Sequence, residues 1–200
     1  MKILIIGGNG TIGKVVSNYL KKKHTLIIAG RTIGDINVDI ANSKSIETMF
    51  QSVGMIDAIV CIAGEAKWAP FKDLTEDDFH IGLKSKLMGQ VNLARIGLEY
   101  LSEGGSITLS TGILADDPVP MTTSAAMVNG AIHSFVKAAA LELEHNHRIN
   151  AVSSGLVVDA VDKYREYFPG HNPVSMDKVV NAYVKSIEGK ISGQVIRIYG

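Results

Sequence analysis

The most constraining feature of this chain is a glycine-rich loop placed between an apolar run and a helical pattern. Lys2–Ile6 is predicted to be a buried strand, the loop Gly7–Gly13 follows at once, and apolar residues at helical spacing start at Ile12. The loop fits both G-x-G-x-x-G and G-x-x-G-x-x-G. Glycine permits a tight turn, close approach of the backbone to a ligand and close helix packing. An ordinary glycine turn is the alternative, but this order of elements favours a dinucleotide pyrophosphate at the helix N-terminus.

The rest of the chain alternates short apolar runs with segments of helical period, which is typical of parallel strands joined by helices. Further strands are predicted at Thr25–Ala29, Ile36–Ile40, Asp57–Ile62, Gly105–Ser110, Arg148–Val152 and Gln194–Ile198. Helices are predicted around Ile46–Val53, from Thr75 onward, over Ser124–Glu144 and over Ser175–Ile187. We therefore expect an α/β Rossmann fold, with a doubly wound seven-stranded parallel sheet in the order 3-2-1-4-5-6-7. No linker or repeat interrupts it, so residues 1–200 are expected to form a single domain.

Composition excludes several classes of function. The chain has 20 basic and 20 acidic residues and no net charge, so no global field favours nucleic acid or a membrane. The single cysteine, Cys61, lies in an apolar run and cannot form an internal disulfide or a thiolate metal site alone. We predict no metal centre. The N-terminal apolar stretch is too short for a signal or a membrane span, so we expect a cytoplasmic protein.

The end of the second strand bears on which dinucleotide is bound. NAD-binding domains usually place a carboxylate there to accept the ribose 2′-hydroxyl, whereas this chain has Arg31 and Thr32. An arginine can pair with a 2′-phosphate, and a threonine can add a hydrogen bond. The pattern favours NADP(H) and leaves NAD(H) possible; a solvent-exposed arginine in a turn is the other interpretation.

Together these motifs resemble the short-chain dehydrogenase/reductase family over nearly the whole chain. Further similar segments are Val38–Ile40, Ala63-Gly64, Leu109–Gly112, Asn150–Gly155 and Ser192–Ile196. The resemblance implies an adenine contact at Asp39 and Ile40. The full set of expected cofactor-binding residues is Gly7, Gly8, Asn9, Gly10, Thr11, Ile12, Gly13, Arg31, Thr32, Asp39, Ile40, Ala63, Gly64, Gly155 and Val157.

The chain departs from this family at the catalytic positions. The family's Tyr-x-x-x-Lys pair falls on Ala125 and Asn129, and no tyrosine lies between Tyr100 and Tyr164. The helix asparagine of the family is replaced by Lys86. Ser110, or its neighbour Thr111, is the remaining catalytic candidate that the resemblance implies.

Lys86 carries a second hypothesis, because lysine and asparagine have exchanged helices relative to the family pattern. Its ammonium is hypothesised to reach the nicotinamide ribose from the opposite wall; a lysine at a subunit contact is the alternative. Tyr164, Tyr167 and His171 are the other candidate proton donors, against the simpler interpretation that they pack a lid.

Two functions follow from these observations. One is an NADP(H)-dependent oxidoreductase acting on a small carbonyl or alcohol with a rearranged proton relay. The other is a non-catalytic NADP(H)-binding sensor or regulatory protein. The lack of the family's proton-donating tyrosine, whose position falls on Ala125, favours this second function. The resemblance also implies a homodimer or homotetramer.

Overall fold

A seven-stranded, entirely parallel sheet forms the centre of the computed structural model, which describes residues 1–200. The strand order is β3-β2-β1-β4-β5-β6-β7, as predicted. The strands are β1 Lys2–Ile6, β2 Thr25–Gly30, β3 Ile36–Asn37, β4 Ile56–Cys61, β5 Leu101–Gly112, β6 Arg148–Ser154 and β7 Val195–Ile198. The order reverses between β1 and β4, and ligands of such sheets bind beyond the strand ends at this point.

Helices cover both faces of the sheet. They are α1 Thr11–Leu20, α2 Ser43–Val53, α3 Glu76–Gly82, α4 Gly89–Gly97, α5 Thr123–Ala139, α6 Val161–Tyr164 and α7 Met176–Glu188. A π-helical segment, Leu83–Met88, joins α3 to α4. Thr75 begins α3 with a capping box, because its side chain accepts from Asp78 N while the Asp78 carboxylate accepts from Thr75 N. No helix combines the length and apolar character that crossing a bilayer requires.

Several element boundaries differ from the sequence-based predictions. β3 ends at Asn37, since Asp39 turns its carboxylate onto the backbone N–H of Ala41 and so leaves the ladder. α5 ends at Ala139 instead of Glu144, and the chain then turns through positive φ at His145 and Asn146. β5 extends at both ends, from Leu101 to Gly112, with a register irregularity against β4 near its start.

The hydrophobic core has one layer on each face of the sheet. One layer packs β-strand side chains against α2, α4 and α5, with Phe50 and Leu93 fully buried. The other packs them against α1 and α7, with Val16 and Tyr183 at its centre. Both layers fix the strands laterally, so the loops at the carboxyl end of the sheet are held at defined positions.

Removing one core ring tests this packing. Phe50 has no exposed surface and stacks on Tyr100 with ring centroids 5.3 Å apart. We expect Phe50→Ala to lower the free energy of unfolding by about 3–5 kcal/mol, since it leaves a cavity that the rigid sheet cannot close. Urea denaturation followed by circular dichroism measures this. Leu141→Ala is the control: Leu141 is 88% exposed and its truncation should change stability by less than about 0.5 kcal/mol. Equal losses in the two variants would contradict this description of the core.

Candidate functional site

The glycine loop makes backbone contacts that no side chain would allow. Gly7 has φ +82°, and a Cβ there would lie 2.6 Å from the carbonyl oxygen of Ile62. A Cβ on Gly13 would lie 2.1 Å from the carbonyl oxygen of Gly7 and 2.8 Å from the Cα of Gly8. β1, α1 and the end of β4 therefore meet at a distance that only glycine permits.

Unpaired backbone donors gather at the start of α1. Gly10 precedes the helix in an extended conformation without a side-chain cap, and no acidic residue lies in the first turn. The N–H groups of Thr11, Ile12 and Gly13 have no acceptor within the chain. Together with the helix dipole, these donors form a binding site for an anionic group. Asn9 fixes the loop from the side by donating its amide to the Ile33 carbonyl at 3.1 Å.

A cavity of about 330 Å³ opens beside this loop. We call it the Arg31 cleft. Its lining includes the predicted residues Gly7, Arg31, Asp39, Ile40, Ala63 and Gly64, together with Glu65 and Ser85. Thr32 does not line it, although it follows Arg31 directly. The cleft thus brings together predicted residues from the ends of β1, β2 and β4 and from the segment after β3.

Charges at the mouth of the Arg31 cleft are arranged as a pair. The Arg31 guanidinium lies 3.4 Å from the Glu65 carboxylate, and both side chains are mostly exposed. Asp35, the acid nearest the end of β2, accepts from Ile28 N at 2.8 Å and does not line the cleft. Arg31 is consequently the cation at the cleft, with Glu65 as its exchangeable partner.

A second cavity, of about 350 Å³, lies on the other side of the loop. We call it the Lys86 pocket. The predicted residues Ile12, Gly155 and Val157 line it, together with Gly112 and Lys86. Lys86 is the only charged residue of an otherwise mostly apolar lining that includes Trp68, Tyr164 and Phe168. A polar ligand group bound there meets one cation in apolar surroundings.

The π-helical segment explains how Lys86 reaches this pocket. Lys86 packs its Cα and stem against Gly64, which has φ +120° and where a Cβ would lie 2.8 Å from the Lys86 Cα. The preceding residue, Ser85, lines the Arg31 cleft, and its hydroxyl accepts a hydrogen bond from Glu65 N at 3.2 Å. Burial away from water lowers the pKa of the Lys86 ammonium, and the nearby Cys61 opposes that shift. Local π-helical geometry is frequent at functional sites, and here the π-helical segment contributes Lys86 to the lining of the Lys86 pocket.

Two buried, uncharged side chains stand at the positions that the family resemblance assigns to the catalytic tyrosine and lysine. Ala125 is buried in an apolar cluster with Leu114, Leu156 and Phe168. Asn129 is buried, and its side-chain oxygen has no hydrogen-bond partner. Its amide nitrogen lies 3.8 Å from where a Cβ on Gly112 would stand, at the edge of the Lys86 pocket. No residue of α5 lines the Lys86 pocket itself.

Strand geometry separates the two hydroxyl candidates of β5. Ser110 is placed beside the buried Tyr183 of α7: burial raises the pKa of that tyrosine, and a hydrogen bond with Ser110 opposes the shift. Thr111 points to α5, where its hydroxyl lies 2.8 Å from Nε2 of the buried His133. Neither residue lines the Lys86 pocket, whereas the next residue, Gly112, does. Gln90 clamps this strand end, with its amide bonded at 2.9 Å to both the N–H and the carbonyl of Ser110.

The three candidate donors after β6 are distributed over different surroundings. Tyr164 lines the Lys86 pocket, and Tyr167 lies outside it against the edge of Trp68. His171 pairs with Asp117 at 3.0 Å in a neighbouring cavity of about 470 Å³, whose lining does not include Lys86. Only Tyr164 is therefore placed beside Lys86.

Sequence comparison shows that the chain is similar to known reductases. Residues 14–181 match the family model described as "Enoyl-(Acyl carrier protein) reductase". Versicolorin reductase 1 of Dothistroma septosporum is 27% identical over 176 residues, which are 83% of this chain and 66% of that protein. General stress protein 39 of Bacillus subtilis is 27% identical over 177 residues, which are 76% of this chain and 62% of that one. The chain thus spans about two thirds of the length of these relatives.

Two solved structures are similar to this chain over nearly its full length. The protein lin1944 from Listeria innocua is 43% identical, with a TM-score of 0.98 and complete coverage of both chains. A small-chain dehydrogenase solved in complex with NADPH is 28% identical, with a TM-score of 0.88 over 99% of this chain and 96% of that one. The chain belongs to the short-chain dehydrogenase/reductase family, whose members are NAD(P)(H)-binding oxidoreductases, as its motifs predicted.

The contact between Gly13 and Gly7 gives a direct test of the loop. We expect Gly13→Ala to push α1 away from the loop, because the methyl group has no space beside the Gly7 carbonyl. Dinucleotide affinity should fall by at least about tenfold, because the free N–H groups at the start of α1 would no longer all point to the same binding position. Isothermal titration calorimetry with NADPH measures it. Gly130→Ala is the matched control on α5, where an added Cβ meets nothing within 4 Å. Unchanged affinity in Gly13→Ala would contradict the role of the loop.

Proposed function

We propose that this chain is an NADP(H)-dependent oxidoreductase that reduces a small carbonyl compound or oxidises the corresponding alcohol. The observation that carries the proposal is the pair of cavities on either side of the glycine loop. The Arg31 cleft is suited to the adenosine end of a dinucleotide, and the Lys86 pocket to the nicotinamide end. The free N–H groups at the start of α1 lie between them.

The residues present fit such a cofactor. The absence of side chains on Gly7 and Gly13 lets the ends of β1 and β4 and the start of α1 pack closely, and the free N–H groups of α1 at this junction would bind the pyrophosphate. Asp39, Ile40, Ala63 and Gly64 line the Arg31 cleft, the proposed adenosine end, and Gly155 and Val157 line the Lys86 pocket, the proposed nicotinamide end. The cofactor supplies the hydride that is exchanged with the substrate carbon.

Selection of NADP(H) over NAD(H) follows from the charges at the Arg31 cleft. Arg31 supplies a planar donor for a 2′-phosphate, and the acid that normally accepts the 2′-hydroxyl is missing from the end of β2. Asp35 is engaged with the backbone of β2. Glu65 competes for Arg31 at the cleft mouth, and an exposed pair of this kind is worth only about 0.2–1 kcal/mol. A 2′-phosphate, with two charges, is the stronger partner.

Lys86 is proposed to supply the cation at the nicotinamide end. Its Nζ would hold the ribose hydroxyls and keep a proton close to the substrate oxygen. Asn129 of α5 is buried with an unpartnered amide oxygen. Tyr164 is the only tyrosine in the lining of the Lys86 pocket. The reductase relatives favour an oxidoreductase over a non-catalytic sensor. We further propose a cytoplasmic homodimer or homotetramer with no nucleic-acid partner.

Thermal unfolding with four dinucleotides tests the cofactor proposal. A ligand at about one hundred times its Kd adds about 2.7 kcal/mol to the free energy of unfolding, which raises Tm by about 5–10 °C in a domain of this size. We expect NADPH and NADP⁺ to do so at concentrations at which NADH and NAD⁺ have little effect. Arg31→Gln should abolish that difference, whereas Arg95→Gln, an exposed arginine of α4, should preserve it. No shift with any dinucleotide would refute the proposal.

The pH dependence of binding tests Lys86. An ammonium with a lowered pKa loses its proton as pH rises, before ordinary lysines near pKa ~10.4 do so. NADPH affinity should therefore be full at low pH and decline as pH rises through the lowered pKa.

Two variants separate this cause from others. At low pH Lys86→Met should bind at least about tenfold more weakly than the wild type, since a charged hydrogen bond is lost, and its affinity should not show the wild-type decline as pH rises. Lys86→Arg should remove the decline, because a guanidinium stays charged. Equal affinity of Lys86→Met and the wild type would eliminate Lys86 from the cofactor site.

A further inference from the structure

A fourth cavity, of about 540 Å³, adjoins the Lys86 pocket. We call it the Trp68 cleft. It shares Trp68 and Tyr164 with the Lys86 pocket, and Gly64 and Glu65 with the Arg31 cleft. Its other lining residues are Ala66, Lys67, Lys163 and Tyr167. A molecule bound in the Lys86 pocket can therefore extend into the Trp68 cleft.

The walls of this cleft are aromatic. Trp68 lies 5.5 Å from Tyr164 and 5.7 Å from Tyr167 between ring centroids, and its contact with Tyr167 is edge-on at 84°. Phe168 closes the cluster from the buried side. Trp68 is only half-buried and Tyr167 is 37% exposed, so aromatic surface remains open to a ligand. Such surfaces favour flat rings, which gain about 0.5–1.5 kcal/mol beyond their area burial.

The charges around these rings are positive. Lys67 and Lys163 line the Trp68 cleft, Lys86 lines the pocket beneath it, and no carboxylate lies within ion-pair distance of any of the three. Glu65 is the only acid in the lining, and it is held by Arg31. The acids of the neighbouring segment, Asp159, Asp162 and Glu166, do not line either cavity. Lysines without acidic partners attract an anionic ligand.

We propose that the Trp68 cleft binds an aromatic anion, so that the substrate is a planar aromatic compound bearing a carboxylate or phenolate. Its ring lies against Trp68 and Tyr167, its anionic group faces Lys67 and Lys163, and its reacting carbon enters the Lys86 pocket. This assignment rests on the proposed function for the role of the ligand as substrate. The binding site itself rests only on the cleft.

Trp68 allows a direct measurement because it is the only tryptophan of the chain. Fluorescence excited at 295 nm is titrated with trans-cinnamate, an aromatic anion, using protein saturated with NADP⁺ and protein without it. Cinnamyl alcohol lacks the charge, and 3-cyclohexylpropanoate lacks the flat ring. Cinnamate should change Trp68 emission and bind at least about fivefold more tightly than either comparison compound. Added salt should weaken cinnamate and leave cinnamyl alcohol unaffected.

Substitutions assign the two kinds of contact. Lys67→Gln/Lys163→Gln should weaken cinnamate about five- to tenfold and leave cinnamyl alcohol unchanged. Tyr167→Leu should weaken both aromatic compounds by about fivefold. Lys178→Gln, an exposed lysine of α7, is the control and should have no effect. All four residues are exposed, so these proteins are expected to fold normally.

The outcomes separate the site from the proposed function. Equal affinity for the three compounds, or no binding of cinnamate by protein that binds NADP⁺, would overturn the aromatic-anion assignment and leave the cofactor proposal standing. Selective cinnamate binding by protein that binds no dinucleotide would support the site and overturn its role in dinucleotide-dependent chemistry. Loss of selectivity in the double lysine variant, in protein that binds both ligands, would support both.

Discussion

The structure depends on the contact between Gly13 and Gly7 at the junction of β1 and α1. It brings a helix N-terminus with three unpaired N–H groups against the end of a buried strand, where no Cβ is tolerated. Unpaired donors cost free energy unless water or a ligand accepts from them. The two layers of core packing stabilise the strands and helices that hold this junction in place. The Arg31 cleft and the Lys86 pocket lie on either side of it, so one backbone feature relates both ends of a bound dinucleotide.

The charged residue of the candidate site, Lys86, lies on a different helical segment from the lysine of the family pattern, although the fold is the same. Ala125 and Asn129 of α5 are buried outside the lining of the Lys86 pocket, and the only charged residue of that lining, Lys86, comes from the π-helical segment. Gly64 makes room for that lysine through its positive φ and the lack of a side chain. Lys86 stands in mostly apolar surroundings, and its burial lowers the pKa of the ammonium below the usual value for lysine. Lys86 is therefore the group that we propose to hold a proton near the substrate oxygen.

The sequence predicted the fold well because its main signals are local. Apolar runs of strand length alternate with helical spacing, and the glycine loop fixes where the sheet reverses; the observed strand order follows from these alone. Boundaries were less accurate. β3 stops where the Asp39 side chain competes for the backbone, and α5 ends five residues before the predicted Glu144 without a glycine or proline to mark the position. Periodicity carries no information on either event.

The candidate site was predictable only in part, for the same reason. Gly7, Arg31, Asp39 and Gly64 meet because each follows a strand end, which sequence shows. The pairing of Arg31 with Glu65, and the placement of Trp68 against the segment after β6, join residues far apart in sequence, and no local pattern encodes them. The orientation of Ser110 toward α7 depends on strand parity, so a one-residue uncertainty in β5 reverses the face.

Energy transfer from Trp68 to NADPH is the most direct test of the central claim. This claim is that the dinucleotide binds with its adenosine end in the Arg31 cleft and its nicotinamide in the Lys86 pocket. Trp68 lines that pocket and emits where the reduced nicotinamide absorbs. Excitation of the folded protein at 295 nm with NADPH present should quench Trp68 and give sensitised nicotinamide emission, which an excess of NADP⁺ removes. NADPH that binds, as measured by calorimetry, without quenching Trp68 would contradict the placement. Absence of binding to the folded protein would contradict the account as a whole.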